Sequence, residues 1–354
     1  MSLDNVFMGK KVVQQIYLKN ALIYQSKGWE TLPSAPQVEW TKSYDNKSNP
    51  ITDSAIDQNN NIYVCSQESV CKIDADGTLV WSMSFPNITS IKVCVDENTN
   101  VYVAFTYGSD LKIKKFDSNG NILSSNSNFN QNFSYITGFA VDNSNLYISG
   151  AYSSSYFLCK LDNELKIIQQ TAISIGALMT TNESPYLFFC QSGYLESVEK
   201  KDIEHSTPKK LNVKAPYNTS SVNSNIEKIA IDNFGNIFYT TNNLGTYKYN
   251  SSNQEVIKWS DSNTSHLCID YQQNLYCIEC LMTSDSSMYS ANLIKTSSDG
   301  TLIYNSKVAQ NENIFNINTG QMLVDNNGNI YLIYKKHSGE LLITKIINLV
   351  KKGN

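Results

Sequence analysis

The chain keeps restating one phrase: an apolar run ending in Asp, two or three turn residues, then Asn-apolar-Tyr. It reads AIDQNNNIYV at Ala55 to Val64, VDENTNVYV at Val95 to Val103 and AVDNSNLYI at Ala140 to Ile148. It returns as AIDNFGNIFY at Ala230 to Tyr239, CIDYQQNLYC at Cys268 to Cys277 and LVDNNGNIYL at Leu323 to Leu332. A degenerate copy, LMTTNESPYLFF, occupies Leu178 to Phe189. The aromatic positions 63, 102, 147, 186, 238, 276 and 331 advance by about 45 residues on average, the period of a propeller or solenoid unit.

Residues 51–85 show what one unit contains. ITDSAID is a first strand, DQNN a turn, NIYVCS a second strand, SVCKID a third, DADG a hairpin turn and TLVWSMSF a fourth. Period-2 alternation with β-branched and aromatic residues supports each strand. Four strands per unit match a propeller blade better than the shorter rungs of a β-helix. The sequence therefore predicts an all-β chain: a seven-bladed β-propeller over residues 37–354, preceded by a small β-hairpin module over 1–36. The last unit runs out of chain at its fourth strand, and QVEWTKSY at Gln37 to Tyr44, upstream of the first unit, resembles the fourth strand LVWSMSF. Trp40 matches Trp81 and Trp259 in place. Val38, Trp40 and Tyr44 are thus expected to complete the seventh blade, which removes an exposed sheet edge.

Charged residues make up 17% of the chain and the formal net charge is −4, with every basic residue a lysine. Arginine, the preferred fork for phosphates and bases, is absent, and no basic patch is visible, so nucleic acid is not an expected partner. No apolar run is long enough for a bilayer, and MSLDNVFMGKK lacks the pattern of a secretory signal. The expectation is a protein made in the host cytoplasm, without membrane insertion.

Cys94 and Cys268 align with Ala55, Ala140 and Ala230, and Cys71 shares a slot with Cys159, so the cysteines read as small hydrophobes. Cys277 and Cys280 stand three apart within a strand, on opposite sides, which disfavours a metal or redox pair. The turns DADG, DSNG, SSDG and DNNG could offer oxygens to calcium. None continues into a loop ending in a bidentate Glu, so the hairpin-turn reading is preferred, and no cofactor is expected.

The first 36 residues do not repeat. KKVVQQIYLKNALIYQ reads as one hairpin turning at Lys19-Asn20, with Leu18 facing Ala21 and Ile16 facing Ile23, and GWETLPSAPQ reads as a linker. A lone hairpin is marginal in water, so Val13, Ile16, Tyr17, Leu18, Leu22, Ile23 and Tyr24 are the candidate docking residues. The segment FMGKKVVQQIYLKNALIYQSKGW resembles the N-terminal modules of tail and baseplate proteins in phages of Gram-positive bacteria. That resemblance implies attachment to a virion through other tail proteins. The repeat itself resembles NHL-like propellers, which identifies a fold and not an activity.

Streptogramin lyases and amidating lyases are enzymes with similar repeats, and those families gather histidines and a metal near the axis. Here only His205, His266 and His337 are present, in non-equivalent slots. His205 and His337 lie in polar turns, and His266 is placed just before the first strand of the sixth unit. No phosphate loop, nucleophile elbow or HExxH occurs. A non-enzymatic role is expected. The loops joining second and third strands should share one face of the ring and carry Tyr107, Tyr152, Tyr156 and Tyr289. Tyrosine among Ser, Asn and Asp suits a host-surface glycan or a protein partner.

Overall fold

The computed structural model describes residues 36–45, 49–129, 133–142, 145–152, 155–173, 178–179, 184–191, 194–211, 226–232, 234–241, 245–250, 255–260, 264–270, 272–282, 289–309, 314–315, 320–336, 339–347 and 349–351. Before these it describes the backbone strands at 6–8, 11–13, 15–18, 21–25 and 29–31.

Seven antiparallel sheets follow one another along the chain. Blade 1 is Ile51–Ile56, Ile62–Ser66, Ser69–Ile73 and Leu79–Ser84; blade 2 is Ile88–Val95, Val101–Tyr107, Asp110–Phe116 and Ile122–Asn126. Blade 3 is Tyr135–Val141, Leu146–Tyr152, Ser155–Leu161 and Ile167–Thr171; blade 4 is Leu178–Met179, Tyr186–Gln191, Tyr194–Glu199 and Lys209–Lys210. Blade 5 is Ile226–Ile231, Ile237–Thr241, Gly245–Asn250 and Glu255–Ser260; blade 6 is Thr264–Ile269, Leu275–Met282, Tyr289–Thr296 and Leu302–Ala309. Blade 7 has Ile314–Phe315 and Gln321–Val324 side by side on Ile330–Lys336, then Leu341–Ile347, and outermost Gln37–Tyr44 from the start of the propeller. First strands of neighbouring blades approach one another, including Gln321–Val324 with Ile51–Ile56, so the first strands surround the axis and the ring is closed.

Period-2 alternation decides the packing. Along Ile62–Ser66, Tyr63 and Cys65 join a cluster shared with blade 2, while Ile62 and Val64 join one shared with blade 7. The same division recurs around the ring, with one apolar cluster at each of the seven blade junctions. Second strands are therefore buried on both faces, and burying each large side chain there contributes about 1.5–3 kcal/mol.

The repeated phrase is a hydrogen-bonded cage. The Asp57 carboxylate accepts from the backbone N–H of Asn59 and Asn61, from the Asn61 side chain and, at 3.0 Å, from the Tyr63 hydroxyl. Asp96 with Tyr102, Asp142 with Tyr147, Asp270 with Tyr276 and Asp325 with Tyr331 repeat the phenol bond at 3.0, 3.1, 2.9 and 3.3 Å. In blade 5 the aromatic is Phe238, which has no phenol, and Asp232 holds the turn and Asn236 bonds. These carboxylates are turn-formers, and two also meet lysines: Asp142 with Lys200 of the next blade at 3.2 Å and Asp270 with Lys295 at 3.7 Å.

A second repeated device is legible only afterwards. Lys72, Lys115, Lys160, Lys248, Lys295 and Lys345 each stand opposite the repeat aromatic of their blade. Four of them cross to the next blade, where Lys72, Lys160, Lys248 and Lys345 donate to the carbonyls of Ser118, Lys200, Ser298 and Ala75. The sequence sign was a lysine two residues before the turn between third and fourth strands.

Three expectations need correction. Lys11–Val13 pairs with Val6–Met8, so the N-terminal segment forms two hairpins and not one. In the second, Leu18 faces Ala21 as expected, but Ile16 faces Tyr24, because a register shift after Ile16 inserts Ile23 as an extra residue. The expected linker also contains a strand, since Trp29–Thr31 pairs with Leu349–Lys351 near the chain's other end. Among the described residues no helix is long and apolar enough to cross a membrane.

Candidate functional site

In an antiparallel blade the Asp-cage turns and the third-to-fourth turns lie at one end, and the second-to-third hairpins at the other. The hairpin closing at Tyr107 and Asp110 belongs to that second face. Val101 to Thr106 are buried, and Tyr107 emerges 47% exposed, with the Lys112 ammonium 5.0 Å from its ring centroid. Gly108, at φ 60°, turns the chain here.

The hairpin is tied to blade 3. Phe133 N–H donates to the Ser109 carbonyl at 2.7 Å, and the buried Phe133 ring meets Phe157 edge-on with centroids 4.3 Å apart. Ser134 N–H then donates to the Ala151 carbonyl, and Tyr135 follows at 42% exposure. Tyr135 stands opposite Ala151, and Ala151 opposite Tyr156, so the three share one face of the sheet. Ala151 is small and buried, which leaves the two tyrosines to meet above it. The Tyr135 phenol hydrogen-bonds with Tyr156, and this bond, more than burial, lifts the Tyr135 pKa above its ordinary value. Tyr156 remains 38% exposed.

Gly150 makes the arrangement possible. A Cβ added there would lie 2.4 Å from the Tyr135 carbonyl oxygen and 2.5 Å from the Phe157 ring. The result is an aromatic platform of Tyr135 and Tyr156 on blade 3, with Tyr107 exposed at the same end of blade 2 but on the face turned towards blade 1.

Of the expected contact residues, the structure places Tyr156 on this platform and Tyr107 at the same end of the neighbouring blade. Tyr152 lies in the second strand of blade 3 and Tyr289 in the third strand of blade 6, with side chains outside the described residues. Tyr135 was missed: it belongs to a first strand, and its partner is two strands away. Val13 lies in Lys11–Val13, Ile16, Tyr17 and Leu18 in Gln15–Leu18, and Leu22, Ile23 and Tyr24 in Ala21–Gln25, their side chains also outside the described residues. Val38, Trp40 and Tyr44 pair with Ile346, Lys345 and Leu341.

The described histidines are separate. His205 is exposed beside Asp202 at 3.0 Å, and that carboxylate raises its pKa. His266 lies within the first strand of blade 6 rather than before it, and is buried. Burial first, and the charge of Lys228 second, push its pKa down to about 4, against a hydrogen bond between Nε2 and the Gly320 carbonyl at 2.6 Å. His337 lies outside the described residues. The six described cysteines are free, and burial pushes each thiol pKa up. Those thiols are poor nucleophiles and ligands at neutral pH.

No family model matches the sequence, and no curated protein matches it. Solved structures do match in shape. The selenomethionine-substituted virginiamycin B lyase from Staphylococcus aureus is 10% identical with TM-score 0.60, over 87% of this chain and 99% of that one. A catalytically inactive variant of that lyase with quinupristin gives 10% identity and TM-score 0.61 over the same shares. KlHsv2 with loop 6CD replaced by a Gly-Ser linker gives 9% identity and TM-score 0.53, over 86% and 99%. At these identities the likeness is one of fold: the chain is a seven-bladed propeller.

Proposed function

We propose that this chain is a non-enzymatic adhesion component of a larger particle, docked through residues 1–36 and presenting its propeller outward. The observation that carries the reading is the platform of Tyr135 and Tyr156, exposed together on blade 3, with Tyr107 exposed at the same end of blade 2. Tyrosine gives large contact area and a hydroxyl at low entropic cost, which fits the rings and hydroxyls of a host-surface glycan or a protein partner. The repeat carboxylates and phenols, by contrast, bond one another inside the blades. The separation of His205 from His266, in different blades and environments, favours recognition over lyase chemistry. A phage tail or baseplate is the particle class suggested by the segment from Phe7 to Trp29.

A free glycan-binding propeller would use the same platform without the docking part, and two deletions of function separate the readings. Removing residues 1–27 keeps Trp29–Thr31 and should abolish incorporation into particles while the propeller still folds. Normal copy number of the truncated protein in purified particles would refute docking. Tyr135→Ala with Tyr156→Ala should abolish surface binding and leave incorporation unchanged.

A further inference from the structure

The two ends of the ring differ in the apolar side chains they expose. In blades 1, 2, 3 and 6 the fourth strand opens on the same β-bulge, just after the turn that leaves the third strand. The extra residue is Val80, Leu123, Ile168 or Ile303. Each is about half exposed, and each follows another exposed Leu or Ile. A bulge interrupts the edge ladder, so these edges offer side chains to a partner rather than a strand to pair with. In blade 7 the extra residue is Glu39, bonded to Lys345 at 2.7 Å.

The Asp-cage turns belong to the same end, and one departs from the others. Two residues after the cage Asp stand Asn59, Asn98, Gln272 and Asn327 in blades 1, 2, 6 and 7. Blade 5 has Phe234 there, 70% exposed. Among the described residues, the large exposed aliphatic side chains all lie in the cage half of their blades, whereas the hairpin end shows only tyrosines. A repeated collar of exposed aliphatic groups is the chemistry of a surface that another protein covers.

The segment that precedes the ring is held at this same end. The third strand of blade 7 runs from Leu341 at the hairpin end to Ile347 at the cage end, where Gln37 pairs with Ile347. Leu349–Lys351 then pairs with Trp29–Thr31, one residue beyond that strand. A protein that receives residues 1–36 therefore lies beside the cage end, within reach of the collar.

We propose that the cage end is the face that meets the particle, and that the protein receiving residues 1–36 covers the collar with an apolar surface of its own. This rests on the docking reading and adds to it a contact made by the ring itself. The tyrosine platform, at the opposite end, then points away from the particle.

Maleimide labelling of purified particles tests this, with a cysteine placed at either end of blade 2. Asn119→Cys lies in the cage-end turn and Ser109→Cys in the hairpin, both at exposed positions. Rates are read above the wild-type background and compared with the same variants as free protein. Assembly should slow Asn119→Cys at least tenfold and leave Ser109→Cys within twofold of its free rate; any other pattern overturns the proposal. Slow labelling of Asn119→Cys in the free protein, relieved by dilution, would assign the collar to a second copy and overturn it too. Val80→Ser with Leu123→Ser should lower copy number in particles severalfold at unchanged melting temperature, and an unchanged copy number would count equally against it. The labelling stays decisive if that variant loses stability. Absence of the wild type from particles would overturn the docking reading and this proposal together, whereas recovery with Asn119→Cys freely labelled overturns only the face assigned here.

Discussion

Trp40 and Tyr331 lie with ring centroids 6.2 Å apart, though they come from opposite ends of the propeller sequence. The pair reproduces Tyr63 with Trp81 at 5.9 Å in blade 1 and Phe238 with Trp259 at 5.2 Å in blade 5. Each tryptophan also covers the hairpin glycine of the next blade: Trp40 on Gly77, Trp81 on Gly120 and Trp259 on Gly300. A strand borrowed from the N-terminal side thus occupies the same environment as the native fourth strands.

Equivalent environments predict equivalent losses. Trp40→Ala and Trp81→Ala should each cost roughly 2–4 kcal/mol in urea unfolding, the range for truncating a large, partly buried aromatic. The indole N–H of Trp40 has no partner, whereas that of Trp259 donates to Thr296 at 2.9 Å. Trp40→Phe should therefore be milder than Trp259→Phe. A negligible loss for Trp40→Ala would mean that Gln37–Tyr44 does not close the ring.

The cage predicts a graded series in blade 1. Tyr63→Phe removes one bond to a carboxylate and should cost about 1.5–3 kcal/mol. Asp57→Ala strips acceptors from two backbone N–H groups, an amide and a phenol, and should cost more, about 3 kcal/mol or above. Phe238→Tyr runs the other way, offering Asp232 the phenol that its blade lacks. Thermal melts of the three variants check the order.

His266 gives stability a pH dependence with a defined sign. Its folded pKa of about 4 lies below the ordinary 6.5, so the unfolded state binds the extra proton first. Stability from this group is full above pH 6.5 and is lost as pH falls toward 4, by roughly 3 kcal/mol at most. Burial holds the carboxyls of Asp53 and Asp325 above their ordinary values, which works in the opposite direction on acidification. Comparing wild type with His266→Gln isolates the histidine: the variant should lose the decline between pH 6.5 and 4.

Gly150→Ala should damage the platform without touching a tyrosine. The added carbon meets the Tyr135 carbonyl and Phe157, and overpacking of this kind costs about 1–3 kcal/mol. Retained stability and retained surface binding together would show that the platform does not depend on the close approach.

The blades were readable because a turn carboxylate and the phenol six residues on form one local unit, as Asp57 and Tyr63 do. Trp40 was readable because it shares a place with Trp81. What was hidden depends on register between strands distant in sequence. Tyr135 and Tyr156 meet only because Ala151 lies between them, and Trp29–Thr31 finds its partner at Leu349–Lys351. The bulge beside Ile16, which moved its partner from Ile23 to Tyr24, leaves no mark in the hydrophobic pattern. His266 was misplaced by the same cause, since a register shift after Thr264 sets its position within the strand.

The proposed role is tested most directly by binding of the purified propeller to immobilised cell-wall glycans of Gram-positive bacteria, comparing wild type with the Tyr135→Ala, Tyr156→Ala double variant. Both residues are substantially exposed, so the variant should keep its melting temperature. Saturable binding by wild type, lost in the variant at unchanged stability, is the predicted result. No binding by wild type, or undiminished binding by the variant, would contradict it.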